Sequence, residues 1–419
     1  MFISRLLYQF FLFFYRLGIL IAAPVNPKAR LWLHGRKQLI PKIRKALAGN
    51  QKPVIWMHCA SLGEFEQGRP VLEKCKKQYP EACLVVSFFS PSGYEVRKDF
   101  KGADHVFYLP HDSKKKAAAY IQAINPSLVL WVKYEYWYYY LTTLKNKNIP
   151  VILFSALFRP GQPFFSWYGM LWKKMISCFH HIFVQDKESK LLLQTIGIDS
   201  SVSGDTRYDR VIATAENFEP LPAVIERFCN AENVMVAGST WAEDEEELQH
   251  YTRLHPQKHF IIAPHETGYA NIEEVRKRFP GCILYSALKG DEYIFESHVL
   301  IMDNVGMLSR LYKYAQVCYV GGGFAGDGLH NILEPAVYGR PVIFGPQHEK
   351  QPEADALLQA GGAYEVTNAL VLEVLLDKLF TQPGLMQETG LAAKKFVYDN
   401  RGATSQVMEY IYKNLRFTK

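Results

Sequence analysis

Strand-like and helix-like stretches alternate along this chain, and the alternation begins twice. In the first run, Val54 to Met57, Cys83 to Phe89, Val106 to Leu109, Leu128 to Val132, Val151 to Ser155 and His181 to Val184 are short apolar runs. Helical patterns lie between them, from about Glu64 to Gln78 and from Trp167 to Cys178. A polar stretch over 216–232, with Pro220 and Pro222, reads as a linker. The pattern then restarts at Val234 to Ala237 and continues through Phe260 to Ala263, Cys282 to Tyr285, Val299 to Met302, Val317 to Val320 and Val342 to Phe344. Short continuous apolar runs fit strands buried on both faces. Helices between such strands predict parallel, doubly wound sheets. The expected fold class is α/β, with two Rossmann-like doubly wound domains and a cleft between them. The expected divisions are 1–24, 25–215, 230–390 and a C-terminal helical stretch, 391–419, that packs back towards the first domain.

At 419 residues, with 48% hydrophobic and 21% charged, the chain is long enough for two full cores. Its seven cysteines are odd in number and none has C-x-x-C spacing, which disfavours a disulfide framework and a structural zinc site. The net charge of +7 is unevenly placed. No acidic residue precedes Glu64, whereas ten basic ones do, from Arg5 to Lys52. Positive charge concentrated at one end predicts contact with an anionic surface.

Residues 1–24 are apolar and aromatic, with only Arg5 and Arg16 charged. Abundant Phe and Tyr and the interior Arg16 argue against a cleaved signal peptide and against a clean membrane span. The preferred reading is an uncleaved anchor helix at the membrane interface, with basic residues from Lys28 to Lys45 at the headgroups. A signal-anchor span is the rival. Nucleic-acid binding is weaker still, because no known module is visible.

Ligands in doubly wound sheets bind outside the carboxyl ends of the strands. In the second half, Val317 to Phe344 reads strand, glycine loop, helix, strand, with Gly321, Gly322, Gly323, Gly326 and Gly328 in the loop. Backbone N–H groups in such a loop approach an anion closely, and a following helix N-terminus favours negative charge. The loop is expected to cradle a phosphate; the plain alternative is a crossover whose glycines serve tight turns. Ser239 and Thr240 end another strand and join Gly322 and Gly323 as cradle candidates. Pro264-His265-Glu266 ends a third strand, and the backbone over 303–307 is placed to read a base edge. Glu334 is a candidate for a ribose diol.

The first half offers acid–base groups. Glu64 stands at a helix start, where the dipole favours the carboxylate and so a base rather than an acid. The plain alternative is an ordinary helix-start acid. Glu135 sits in Trp131-Val132-Lys133-Tyr134-Glu135-Tyr136-Trp137, an unusually aromatic setting for a charge. A capping contact or a pair with Lys133 is its plain alternative. Arg207 can stabilise a leaving phosphate or a substrate carboxylate, or else pair with Asp205 or Asp209. H-E-x-x-H, Asp-x-Asp and G-x-S-x-G motifs are absent, and the G-x-G-x-x-G match is partial.

Taken together, these pieces resemble the 3-deoxy-D-manno-octulosonic acid (Kdo) transferases of lipopolysaccharide core synthesis. The resemblance rests on Ala60-Ser61-Leu62-Gly63-Glu64, on Trp131 to Trp137, on Phe154-Ser155-Ala156 with Arg159, and on Ser203 to Asp209. In the second half it rests on Gly238-Ser239-Thr240, Pro264-His265, Gly306 and His330 to Pro335. It implies a GT-B fold and an inverting, metal-independent transfer of Kdo from CMP-Kdo to a lipid A precursor (lipid IVA). The place would be the cytoplasmic face of the inner membrane. No cofactor and no metal are implied. By the same resemblance Glu64 is the proton acceptor, and Glu135 and Arg207 assist the transition state. Pro264, His265, Val305, Gly306, Met307, Asn331, Ile332, Leu333 and Glu334 would contact CMP. The family often has Pro-Arg-His where this chain has Pro264-His265-Glu266, and Met-Gly-Glu where Val305-Gly306-Met307 stands. It often has Lys at Arg207. The alternatives are another GT-B enzyme using a UDP- or GDP-sugar on a membrane acceptor, and a membrane-surface scaffold with an inactive transferase fold.

Overall fold

The computed structural model describes residues 2–133, 135–230, 233–288, 297–324, 328–349 and 351–415. Tyr134, Glu232 and Gly326 lie outside the described residues. The chain divides into two compact units, Met1–Arg210 with Arg401–Lys419, and Val211–Asn400. The division falls inside one helix, Thr206–Glu216.

The first unit is built on seven parallel strands: β1 Val54–Cys59, β2 Cys83–Phe88, β3 His105–Tyr108, β4 Leu128–Val132, β5 Val151–Ala156, β6 His181–Val184 and β7 Ser201–Val202. Their order is β3-β2-β1-β4-β5-β6-β7. Every residue of β1, β2, β4 and β5 is buried, so helices must cover both faces. Successive side chains alternate between the faces. Trp56, Val85, Val129 and Leu153 pack on one face. Ile55, Met57, Leu130 and Phe154 pack on the other, against Val407, Met408 and Ile411 of the helix Ala403–Asn414. Burying side chains of this size contributes about 1.5–3 kcal/mol each.

The expected C-terminal helical stretch, as far as it is described, belongs to two helices, Pro383–Asp399 and Ala403–Asn414. Gly402 separates them at φ 112°, a backbone conformation that terminates a right-handed helix. Asp209 then accepts from the amides of Gly402 and Thr404, both at 2.7 Å, and so caps the last helix. The expected helix from Trp167 is shorter as well. It begins at Met170, after Gly169, and ends at Ile176.

The first 24 residues contain a helix, Phe2–Ala22, whose segment Ile3–Ala22 is long and apolar enough to cross a membrane. Ile3, Leu7, Phe11, Phe13 and Phe14 are exposed on it. Tyr8 fastens the helix to the unit by donating to Asp112 Oδ2 at 2.7 Å. Asp112 also accepts from the amides of Tyr139 and Tyr140, at the start of the helix Tyr138–Asn146. Burial pushes the Asp112 carboxyl up to about 6.

Of the basic residues expected at headgroups, Lys28, Arg30, Lys37, Lys42, Arg44 and Lys45 are exposed. Arg36 is not among them, which corrects that expectation. Its guanidinium lies 3.9 Å from the Trp32 ring centre and donates to the carbonyls of Trp32, Phe89 and Leu109. Those carbonyls lie at the ends of a helix and two strands, where intrinsic partners run out.

The second unit has its own seven parallel strands: β8 Val234–Thr240, β9 His259–Pro264, β10 Ile283–Leu284, β11 Val299–Ile301, β12 Val317–Val320, β13 Val342–Phe344 and β14 Ala363–Glu365. Their order is β10-β11-β9-β8-β12-β13-β14. The stretch over 216–232 is not a plain linker, because it holds the helix Ala223–Phe228. Ile225 and Phe228, three residues apart, are buried by it.

Candidate active-site residues

In the first sheet the strand order reverses between β1 and β4, and the segments just beyond their carboxyl ends carry Glu64 and Glu135. Ser61 precedes the helix Leu62–Gln78 and Glu64 lies in its first turn. The Glu64 carboxylate accepts from the Ala60 amide and is 9% exposed. A carboxylate at this end of a helix is stabilised by the unpaired N–H groups of the first turn.

Glu135 is held by its neighbours rather than solvated. Its Oε2 accepts from His58 Nε2 at 2.7 Å and from Trp137 Nε1 at 3.0 Å. Trp131 Nε1 donates to the Glu135 carbonyl. On the far side of His58, Nδ1 lies 2.9 Å from Ser87 Oγ, which itself accepts from Trp56 Nε1 at 2.8 Å. An indole nitrogen only donates and a carboxylate only accepts. One assignment that satisfies these groups is Trp56 N–H to Ser87, Ser87 O–H to His58 Nδ1, and His58 Nε2–H to Glu135. His58 is fully buried at the end of β1, 77 residues from Glu135. No role for it was read from the sequence.

Arg207 follows β7, at the far edge of the sheet. It pairs with Asp205, as one of its alternatives anticipated: Nε donates to Oδ2 at 2.9 Å and its amide to Oδ1 at 2.8 Å. Asp205 also accepts from Gln67 Nε2 at 3.2 Å. Thr206 Oγ1 donates to the Gln67 carbonyl at 2.6 Å. Gln67 is three residues beyond Glu64, on the same helix, so the Asp205–Arg207 turn is fastened to the helix that carries Glu64.

In the second sheet the order reverses between β8 and β12. At the carboxyl ends of these strands lie Ser239-Thr240-Trp241 and the glycine loop. Asp244, a fully buried acid in the helix Ala242–Leu254, joins them. It accepts from the Gly322 amide at 2.8 Å, the Trp241 amide at 2.9 Å and the Tyr319 hydroxyl at 2.7 Å. Burial raises its pKa and these hydrogen bonds oppose the rise.

Two amides at the start of the glycine loop already have partners within the unit. The Gly322 amide is directed at Asp244, and the Gly321 amide donates to the Gly238 carbonyl at 2.9 Å. A Cβ at Gly321, Gly322 or Gly323 would run into the backbone of Ser239, Gly328 or Gly345 respectively. Close packing of backbone on backbone therefore requires these glycines. The Thr240 hydroxyl donates to Glu245 at 3.0 Å. Ser239, at φ 55°, is half-buried, and its hydroxyl has no hydrogen-bond partner among the described residues. The helix expected after the loop is only Leu333–Ala336. Its continuation ends at Gly339, φ 72°, before Pro341.

The nucleotide candidates lie at strand ends of this unit. Pro264 closes β9 and His265 is exposed beyond it. His265 stacks on Trp241 at 4.7 Å and on His330 at 4.4 Å, and Trp241 Nε1 donates to His330 Nε2 at 3.2 Å. Val305 and Gly306 are exposed after β11, with Gly306 at φ 98°, while Met307 is buried. Asn331 donates to Glu334 at 3.2 Å and accepts from the Leu333 amide. Ile332 and Leu333 are buried, which limits them to backbone contacts with any ligand.

Glu245 supplies a pH test. It is 1% exposed, bonded to Thr240 and 3.2 Å from Arg278. Burial nevertheless raises its carboxyl from 4.5 to about 7. Between these values the folded state keeps a proton that the unfolded state has released, so stability falls as pH rises through that window. The slope is up to about 1.4 kcal/mol per pH unit. Melting curves at pH 5 and pH 7 should show Glu245→Gln gaining on the wild type at the higher pH. Parallel profiles would remove this role.

The family model for 3-deoxy-D-manno-octulosonic-acid transferase (kdotransferase) matches residues 32–210, the segment that holds Glu64, Glu135 and Arg207. The matched segment lies within the first unit. The chain is also 24% identical over 381 residues to the 3-deoxy-D-manno-octulosonic acid transferase of Haemophilus influenzae, covering 85% of this chain and 86% of that one. It is 28% identical over 302 residues to a bifunctional glycosyltransferase/methyltransferase of Fusobacterium nucleatum. That match covers 70% of this chain and 47% of the longer protein, so the chain spans about half of it. Among solved structures, a UDP-GlcNAc 2-epimerase from Neisseria meningitidis superposes with a TM-score of 0.64 at 14% identity, covering 86% of this chain and 100% of that one. The architecture of two parallel-sheet α/β domains is of GT-B type.

Proposed function

We propose that this protein transfers Kdo from CMP-Kdo to a lipid A precursor, lipid IVA, with inversion and without a metal cofactor. The observation that carries the reading is the pair of carboxylates at the reversal point of the first sheet, within the segment that the Kdo transferase family model matches. Glu64, at a helix start, takes the proton from the acceptor hydroxyl. As that oxygen forms its bond to the ketosidic carbon, the bond from that carbon to the CMP phosphate breaks. Glu135 and Arg207 stabilise the oxocarbenium-like state and the charge that moves to the leaving group. His58, acting through Glu135, keeps that carboxylate oriented. In the second unit, His265, the backbone over 305–307 and the 331–334 segment hold CMP, with Ser239 towards the phosphate. The apolar first helix and the exposed cations after it hold the enzyme at the cytoplasmic face of the inner membrane.

The test uses purified full-length protein with CMP-Kdo and lipid IVA. CMP should be released and the acceptor should gain Kdo; no release would sink the reading. A thermal-shift series separates donors, because CMP should stabilise the protein and UDP or GDP should not. Stabilisation by UDP or GDP instead would favour another sugar nucleotide.

A further inference from the structure

Within the first unit, a cavity of about 650 Å³ opens between the helix Phe2–Ala22 and the segment that carries Glu135. Ser4, Leu7, Tyr8 and Phe11 form its helical wall, at the spacing that puts residues on one helix face. Trp137, Trp172 and Met175 are among the residues opposite, and Glu135 is its carboxylate. The volume falls in the range of small-ligand sites, about 300–1,000 Å³. The same helix exposes Phe13 and Phe14, and Trp167, beside the cavity-lining Tyr168, is 92% exposed. Aromatic side chains of this kind settle at membrane interfaces.

We propose that this cavity takes one acyl chain of the glycolipid acceptor. The inference rests on the lipid-acceptor reading above and deepens it. Three features favour a lipid chain over other occupants. The walls are mostly apolar and aromatic, and Glu135 is the one charged side chain in the lining. One wall belongs to a helix whose remaining faces are suited to lipid. The exposed cations Lys28, Arg30, Lys37 and Lys42 follow that helix in the chain and complement a phosphorylated headgroup. An acyl chain seated here brings its sugar headgroup to the Glu135 end, so the cavity would select acylated acceptors and set their register.

The test compares two acceptors, the acylated glycolipid and the same phosphorylated disaccharide stripped of its chains. Filling the cavity with Ser4→Phe and Leu7→Phe should raise KM for the acylated acceptor about tenfold or more. KM for the stripped acceptor and kcat should not move. The control Phe13→Ser, outside the cavity lining, should leave both KM values alone in detergent solution. An unchanged KM in the filled variant, or an equal rise in the control, would overturn the proposal. A binding assay stands apart from turnover. Dansyl-undecanoate should bind the wild type saturably, with energy transfer from tryptophan, and the filled variant at least tenfold more weakly. Saturable binding without CMP release would leave the cavity assignment intact and sink the transferase reading; non-saturable binding would sink the cavity assignment.

Discussion

Replacing Glu64 by Gln is expected to lower CMP release by roughly 10²–10⁴-fold, the usual contribution of a positioned general base. The change keeps the shape of the side chain and an oxygen to accept from the Ala60 amide. The helix Leu62–Gln78 should therefore persist, and so should the contacts that tie Gln67 to Asp205 and Thr206. Thermal stabilisation by CMP should remain at the wild-type level. Loss in kcat with CMP binding kept is the signature of a proton-transfer role. A variant that retains turnover would remove Glu64 as the base. Parallel loss of CMP binding would show a structural defect instead.

Asp244→Ala should produce the largest change in the second unit. It removes the acceptor for the Gly322 amide, the Trp241 amide and the Tyr319 hydroxyl. Leaving a buried donor without a partner costs about 1–3 kcal/mol. Part of the sum is offset, because a carboxylate whose pKa burial raises is itself unfavourably placed. A net loss of about 3 kcal/mol is expected. That corresponds to a fall in melting temperature of roughly 6–12 °C for a domain of this size. CMP binding should weaken as well, because the segments after β8 and β12 lose their common tie. Asp244→Asn should do less harm, since one oxygen still accepts while the amide group faces donors. Normal melting together with normal CMP binding in Asp244→Ala would refute the role.

Much of the architecture was legible because parallel strands buried on both faces are short unbroken apolar runs, and twelve such runs fall where strands form. The two strands not read, Ser201–Val202 and Ala363–Glu365, lie at sheet edges and are only two and three residues long. Edge strands bury less surface and leave a weaker pattern. Boundary errors have local causes: Gly402 divides a helix that periodicity ran together, and Gly169 delays one.

The opening alternation determined that both halves would be parallel α/β sheets, because the burial of a strand or helix face is written in local spacing. Motif order also singled out Glu64, Glu135 and Arg207 as side chains at strand ends. Only the tertiary structure decided what those side chains touch. The strand order sets β4 beside β1, and that brings His58 to Glu135 across 77 residues. Asp244 takes the Gly322 amide of the expected phosphate cradle, because a buried carboxylate and a ligand phosphate seek the same donors. Competition for a backbone N–H is settled by distance in space, and spacing along the chain does not carry it.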